Sequence, residues 1–187
     1  MFLGLLLATT LSLIAQSGAP GQSPGMDLTL MKIFSGHQAF TAKSEVEVTG
    51  AGGLGDMSVP GEVSMLDGKM RTEVDMGRVK AKTMPAEMLA QMKESGMDRA
   101  VNILIPAEKK MHIIFPGMKA YVSMTLPDQA ASAVTNQADI QKTEQGKDNV
   151  DGHPCLKSKL TITSGGQSQE LTVWNASDLK EFPVQIE

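Results

Sequence analysis

Asp67-Gly68 stands between two alternating runs, Val59 to Leu66 and Lys69 to Met76. An Asp-Gly pair supplies the positive backbone dihedrals that a two-residue turn requires, so the stretch reads as an antiparallel β-hairpin. On its second arm Met70, Thr72, Val74 and Met76 fall on one face, and Arg71, Glu73 and Asp75 on the other. The charged face should meet solvent and the apolar face a core.

The same two-residue period recurs along the chain. Phe40, Ala42, Val46 and Val48 are separated by polar residues, with a phase change near Ser44. Ala100 to Ile105, Lys110 to Phe115 and Lys119 to Thr125 form three short runs divided by Pro106-Ala107-Glu108-Lys109 and Pro116-Gly117. Connections this short exclude crossovers, so the strands should pair antiparallel. Near the end, Leu156 to Thr163 and Glu170 to Trp174 flank a Ser164-Gly165-Gly166 turn. Leu160 and Ile162 share a face with Ser158, Leu171 and Val173 share one across the turn, and Trp174 falls opposite Val173. A helix-sized Ser177 to Glu181, then Phe182-Pro183 and a Val184 to Ile186 strand, close the chain.

One segment changes period. Met84, Met88, Met92 and Leu89 recur at three- and four-residue steps between Pro85 and Ser95, with Thr83 placed to cap, Glu87 in the first turn and Gly96 as a stop. Met26 to Phe34 reads as a first strand or a short helix, Asp128 to Ala138 as a loosely packed helix or a rim loop, and Ile140 to Val150 as polar chain leading into the terminal block. The expected fold is mainly β (α+β): a strongly curved antiparallel sheet of nine or ten short strands, with one or two helices, chiefly the Met84 to Ser95 segment, covering its concave face.

Phe2 to Ala15 is apolar but short for a bilayer span, and small turn-forming residues follow it. It reads as an export signal over residues 1–17, cleaved after Ser17 or Ala19, with a flexible linker over 18–25 and a single domain over 26–187. No Lys or Arg precedes the apolar run. The expected location is the periplasm or another extracytoplasmic space, without a lipid anchor, because no cysteine lies near the cleavage site to be acylated. A net charge of −4 with no basic run argues against a nucleic-acid partner. Cys155 is the sole cysteine, so packing and backbone pairing must hold the domain without an intrachain disulfide.

Asp67-Gly68-Lys69-Met70-Arg71, Pro116-Gly117-Met118-Lys119-Ala120-Tyr121, Asp151-Gly152-His153-Pro154-Cys155, Val173-Trp174 and Asp178-Leu179-Lys180-Glu181-Phe182-Pro183 together resemble the exported bacterial family DUF4412, most specifically over Asn149 to Glu187. Members of that family are similar in architecture to the LolA/LolB and LppX lipoprotein carriers. The resemblance implies a half-barrel and an envelope location, and nothing catalytic. Lipid or lipoprotein handling follows by architectural analogy alone.

No catalytic constellation stands out. Gly50 to Gly55 is followed by neither a Lys-Ser/Thr pair nor a helix, so it is a loop rather than a phosphate cradle. His153-Pro154-Cys155 would need further ligands to hold a metal, and only the distant His37 and His112 remain; it reads as a structural turn with a buried thiol. Cys155 as a nucleophile wants an acidic orienter for a histidine, and none is evident. The thirteen methionines beyond Met1 are scattered over strands and helix rather than clustered in a polar loop, as walls of a deformable apolar cavity or fillers of an ordinary core would be.

The leading expectation is a non-catalytic protein, needing no cofactor or metal, that binds a hydrophobic ligand such as an acyl chain in a cavity lined by Met70, Val74, Met84, Met88, Met92, Ile103, Ile113 and Tyr121. The alternatives are an envelope module that pairs an exposed strand edge with a protein partner, and a copper-handling protein using thioether ligands.

Overall fold

A computed structural model describes residues 6–10, 24–49, 56–81, 83–126, 140–164 and 167–187. The glycine-rich loop at 50–55, the 128–138 stretch and the Gly165-Gly166 turn lie outside these residues. So does most of the leader. Its Leu6–Thr10 portion forms β1, and a helix α1, Pro24–Ile33, begins inside the expected linker. The strands that follow are β2 (Ala39–Val48), β3 (Met57–Leu66), β4 (Lys69–Asp75) and the two-residue β5 (Lys80–Ala81). Helix α2 (Ala86–Glu94) leads to β6 (Arg99–Ile105), β7 (Lys110–Phe115) and β8 (Ala120–Thr125). The chain ends with β9 (Ile140–Val150), β10 (His153–Ser164), β11 (Gln167–Ala176) and β12 (Phe182–Ile186).

These strands form one mainly antiparallel sheet in the order β8-β7-β6-β4-β3-β2-β1-β12-β11-β10-β9, with β5 beside β3. The exceptions are the two pairings of β1, which runs parallel to both β2 and β12. Strands β8 and β9, consecutive in the chain, stand at opposite ends of the pairing path, so the sheet is not closed into a barrel. No helix among the described residues is long and apolar enough to cross a membrane.

The period-two reading sets the hairpins. Asp67 and Gly68 both take positive φ, 48° and 72°, which closes β3 onto β4 with Met65 opposite Met70 and Val63 opposite Thr72. Register then carries two inward-facing rows across the sheet, apolar except for Thr72 and Asn102. One runs Phe40, Met65, Met70, Leu104, Met111, Met124; the next runs Ala42, Val63, Thr72, Asn102, Ile113, Val122. The opposite face carries Arg71, which pairs with Glu62 (3.3 Å) and with Glu73, and Arg99, which also pairs with Glu73. This is the charged outer face expected from the hairpin.

Several elements depart from the sequence reading for physical reasons. Met26 to Phe34, open between strand and helix in the sequence, is helical from Pro24 to Ile33, with core residues Met31 in the helix and Phe34 directly after it. Strand β9 reads as polar chain because it is an edge strand, solvated along most of both faces. His153-Pro154-Cys155 is strand rather than turn, since the turn is already made by Asp151 and Gly152 at φ 50° and 85°. Phe182 and Pro183 likewise sit inside the last strand. Thr83 does not cap α2: Pro85 occupies the cap position, with no side-chain hydrogen bond there.

Candidate functional site

The inner sheet face and the helix lying on it make the main core. Met31 of α1 and Phe34 just after it are buried with Val63, Met65, Met70, Leu104, Met111 and Ile113 from one wing of the sheet, and with Leu160, Ile162, Leu171, Val173 and Ile186 from the other. Phe34, fully buried, stacks on Phe40 at 4.9 Å and Phe182 at 5.4 Å between ring centroids, which fixes the C-terminal end of α1 over β2 and β12.

Toward its N-terminal end the same helix reaches β4 and β6. The Thr72 hydroxyl donates to the Asp27 carboxylate at 3.0 Å, and the Asn102 side chain also bonds that carboxyl. Thr72 and Asn102 are register partners on the inner face, so the two strands present a polar pair into an otherwise apolar surface. Asp27 is 6% exposed. Burial pushes its pKa up to about 6, against the lowering effect of the hydrogen bonds from Thr72 and Asn102.

Lys32, five residues further along α1, is 5% exposed, and its Nζ has no hydrogen-bond partner among the described residues. A ten-residue helix therefore carries two ionisable side chains into the interior. Polarity predicts the opposite, because buried charge is costly unless paired. Neither residue stood out in the sequence, where each would be assigned to the solvent face of a short helix. Asn102, a polar residue in the apolar run Arg99–Ile105, is the signal that could have pointed to a polar site beneath it.

The eight residues expected to line one cavity are not brought together. Met70 and Ile113 lie on the inner face in the main core. Val74, Met84 and Met92 instead pack on a second cluster built by Met57, Val59 and Met76. Helix α2 thus sits beside that smaller cluster, with no residue fully buried, and α1 occupies the position foreseen for it. Met88 faces outward at 41% exposure. Ile103 and Tyr121 are on the outer face: Ile103 pairs with Arg71 and His112, and Tyr121, 71% exposed, pairs with Ile114. The inward polar Asn102 reverses the phase that a polar-out rule gives for β6.

A separate groove of about 530 Å³ opens at the ends of β2, β3 and β5, lined by Glu47, Val48, Thr49, Asp56, Met57, Ser58, Lys80 and Ala81. None of the eight residues borders it. Beside it Ser58 donates to the Glu45 carboxylate and Lys80 approaches at 3.4 Å; the Ser58 bond is the main cause holding the Glu45 carboxyl below the ordinary range.

At the β10 turn, His153 does have an acidic partner, Asp178, at 2.8 Å from its Nδ1. That corrects the expectation of no orienter. The Cys155 thiol, however, donates to the His153 backbone carbonyl at 3.3 Å, and burial pushes its pKa up, so it is held as a neutral thiol. Trp174 is buried on the face opposite Val173, its indole N–H donating to Asp148 at 2.9 Å with Lys157 Nζ 4.6 Å above the ring. Among the described residues, no three His, Cys, Asp or Glu side chains converge as a metal-holding group.

The model of the family described as Domain of unknown function (DUF4412) matches residues 58–184, from β3 to within β12. No curated protein matches the chain.

Proposed function

The chain belongs to the DUF4412 family, and from that premise we propose that it is an exported, non-catalytic envelope protein that holds an acyl chain between α1 and the inner face of a half-barrel sheet of the LolA/LolB and LppX kind. One observation carries the proposal: the helix covering the apolar sheet face is held there through a buried carboxyl, Asp27, bonded to Thr72 and Asn102. A cover assembled with that penalty is easier to displace than an all-apolar one. The surface below it supports the same reading, because Met65, Met70 and Met111 are unbranched, flexible side chains that repack around occupants of varied shape. In this reading α1 is the resting plug, and an acyl chain takes over the contacts that Met31 and Phe34 make. Each methylene removed from water contributes about 0.8 kcal/mol, so about ten buried methylenes contribute about 8 kcal/mol toward displacing the helix. The leader-like composition of residues 1–17 supports the extracytoplasmic location, although their removal would take away β1, which joins β2 to β12.

A lipid extract of the natively purified protein, analysed by mass spectrometry alongside uptake of a fluorescent fatty acid, tests this. Co-purifying lipid and saturable uptake are expected. A clean extract with no uptake refutes the carrier reading and favours a second one, which rests on β8. That edge strand, Ala120–Thr125, has no charged residue and leaves Tyr121 and Val122 exposed, whereas the opposite edge β9 carries Lys142, Glu144, Lys147 and Asp148. Charged edges deter strand addition and uncharged apolar ones invite it, so β8 is where an extended segment of an envelope partner would pair.

A further inference from the structure

We propose that removal of the export leader opens a strand-acceptor slot between β2 and β12, which takes an extended, uncharged segment of a partner protein running parallel to both strands. The inference rests on the exported reading and is independent of the acyl site. In the full chain β1 fills this position. Leu6 to Thr10 lie beside Lys43 to Glu47 of β2, and Ala8 and Thr9 lie beside Gln185 and Ile186 of β12. This one join in the pairing path therefore belongs to the segment whose composition marks it for cleavage.

The two wings of the sheet stay bridged when β1 leaves. Phe40 of β2 and Phe182 of β12 stand 5.0 Å apart between ring centroids, and Phe34 stacks on both, near the starts of the two strands. The gap opens further along, beside 43–47 and 185–186, where β2 keeps β3 on its far side and β12 keeps β11. On the slot side the backbone N–H and C=O groups lose their partners, and such groups template the addition of a strand. The residues ahead of α1 in the mature chain, Gly18 to Ser23, are poor replacements, since two glycines and a proline stand among them. Register then sets what fits. The Ala8 position lies between Glu45 and Gln185, the Thr9 position between Val46 and Ile186, and the Thr10 position beside Glu47. A β-branched or apolar residue suits the middle of these three, and a carboxylate is repelled at the other two. Main-chain hydrogen bonds give such an insertion its affinity, and the alternate side chains its selectivity.

The test uses the protein as its own host exports and processes it. Intact mass is read first, and a fluorescein-labelled peptide of the Leu6 to Thr10 sequence is then titrated in, with hydrogen–deuterium exchange to locate it. Loss of the leader is expected, followed by saturable binding that slows amide exchange over 43–47 and 185–186. The same peptide N-methylated at Ala8 and Thr9 keeps the side chains but not the donors, and is expected to bind at least about tenfold more weakly. A peptide carrying Ala8→Glu and Thr10→Glu is expected to bind about threefold or more weaker than the parent, through repulsion by Glu45 and Glu47. Retention of residues 6–10 in the exported protein overturns both the slot and the cleaved leader, because the position is then filled. Loss of the leader without peptide binding, binding indifferent to N-methylation, or protection at β8 instead overturns the slot alone and leaves the exported reading standing.

Discussion

Replacing Asp27 by asparagine isolates the buried polar contact between α1 and the sheet. The carboxyl is raised from 3.8 to about 6, with desolvation outweighing the hydrogen bonds from Thr72 and Asn102. The folded protein then binds this proton more tightly than the unfolded chain. The group's contribution to stability is therefore fully present below about pH 3.8 and is lost as the pH rises through about 6. At about 1.36 kcal/mol per pH unit, the interval from 3.8 to about 6 amounts to about 3 kcal/mol, of which about 2 kcal/mol falls between roughly pH 4.5 and pH 7.5. Asparagine keeps an oxygen to accept from Thr72 and cannot ionise. Urea unfolding of wild type and Asp27→Asn across that range should therefore show two curves that diverge as the pH rises, the variant gaining about 2 kcal/mol on the wild type. Taking the difference cancels the other titrating groups. Parallel curves would refute the reasoning, since they would mean that Asp27 titrates alike in both states and is not held in a low-dielectric interface.

Other perturbations follow from the packing. Phe34→Ala removes the fully buried ring between Phe40 and Phe182 and should cost about 3–5 kcal/mol in denaturant unfolding. A loss under about 1 kcal/mol would mean that α1 is not part of the core. Gly61→Ala drives a methyl into the Glu73 carbonyl oxygen, so β3 and β4 must part locally. A destabilisation of about 1–3 kcal/mol is expected in thermal melts, and a silent substitution would contradict the β3–β4 register. Cys155, buried with its thiol held protonated, should resist iodoacetamide in the native protein and react on unfolding in urea, as followed by intact mass. Rapid native alkylation would contradict its placement in β10.

The architecture was legible where two signals agreed. Around Asp67-Gly68, turn chemistry and alternation specify the same hairpin, and both its arms and its charged face are found as read. Lys110–Phe115 is likewise bounded by turn residues at both ends. The sequence was silent where solvent or polarity blurred the period. Strand β9 has water on both sides and so no apolar face to betray it. Helix α1 hid because its buried positions include Asp27 and Lys32, and α2 was overvalued because a methionine stripe is a strong helix signal but says nothing of which cluster the stripe meets. Of the cavity residues, Ile103 and Tyr121 lie on the outer face through phase: Asn102 points inward to Asp27, so its neighbour Ile103 points outward, and Tyr121 follows the outer row with Ile114. A polar-out rule cannot foresee a polar group that is inward because another polar group waits there.

The methionine methyl groups offer the most direct test of the central claim, because they sample both the covered sheet face and the exterior. Met31, Met65, Met70 and Met111 are buried beneath or on α1, while Met88, Met97 and Met118 are exposed. In a carbon-13 methyl-methionine NMR titration with dodecanoate, the four buried methyls should shift and saturate together while the three exposed ones stay in place. Shifts confined to Met88, Met97 and Met118, or none at any ratio, would contradict an acyl site beneath the helix.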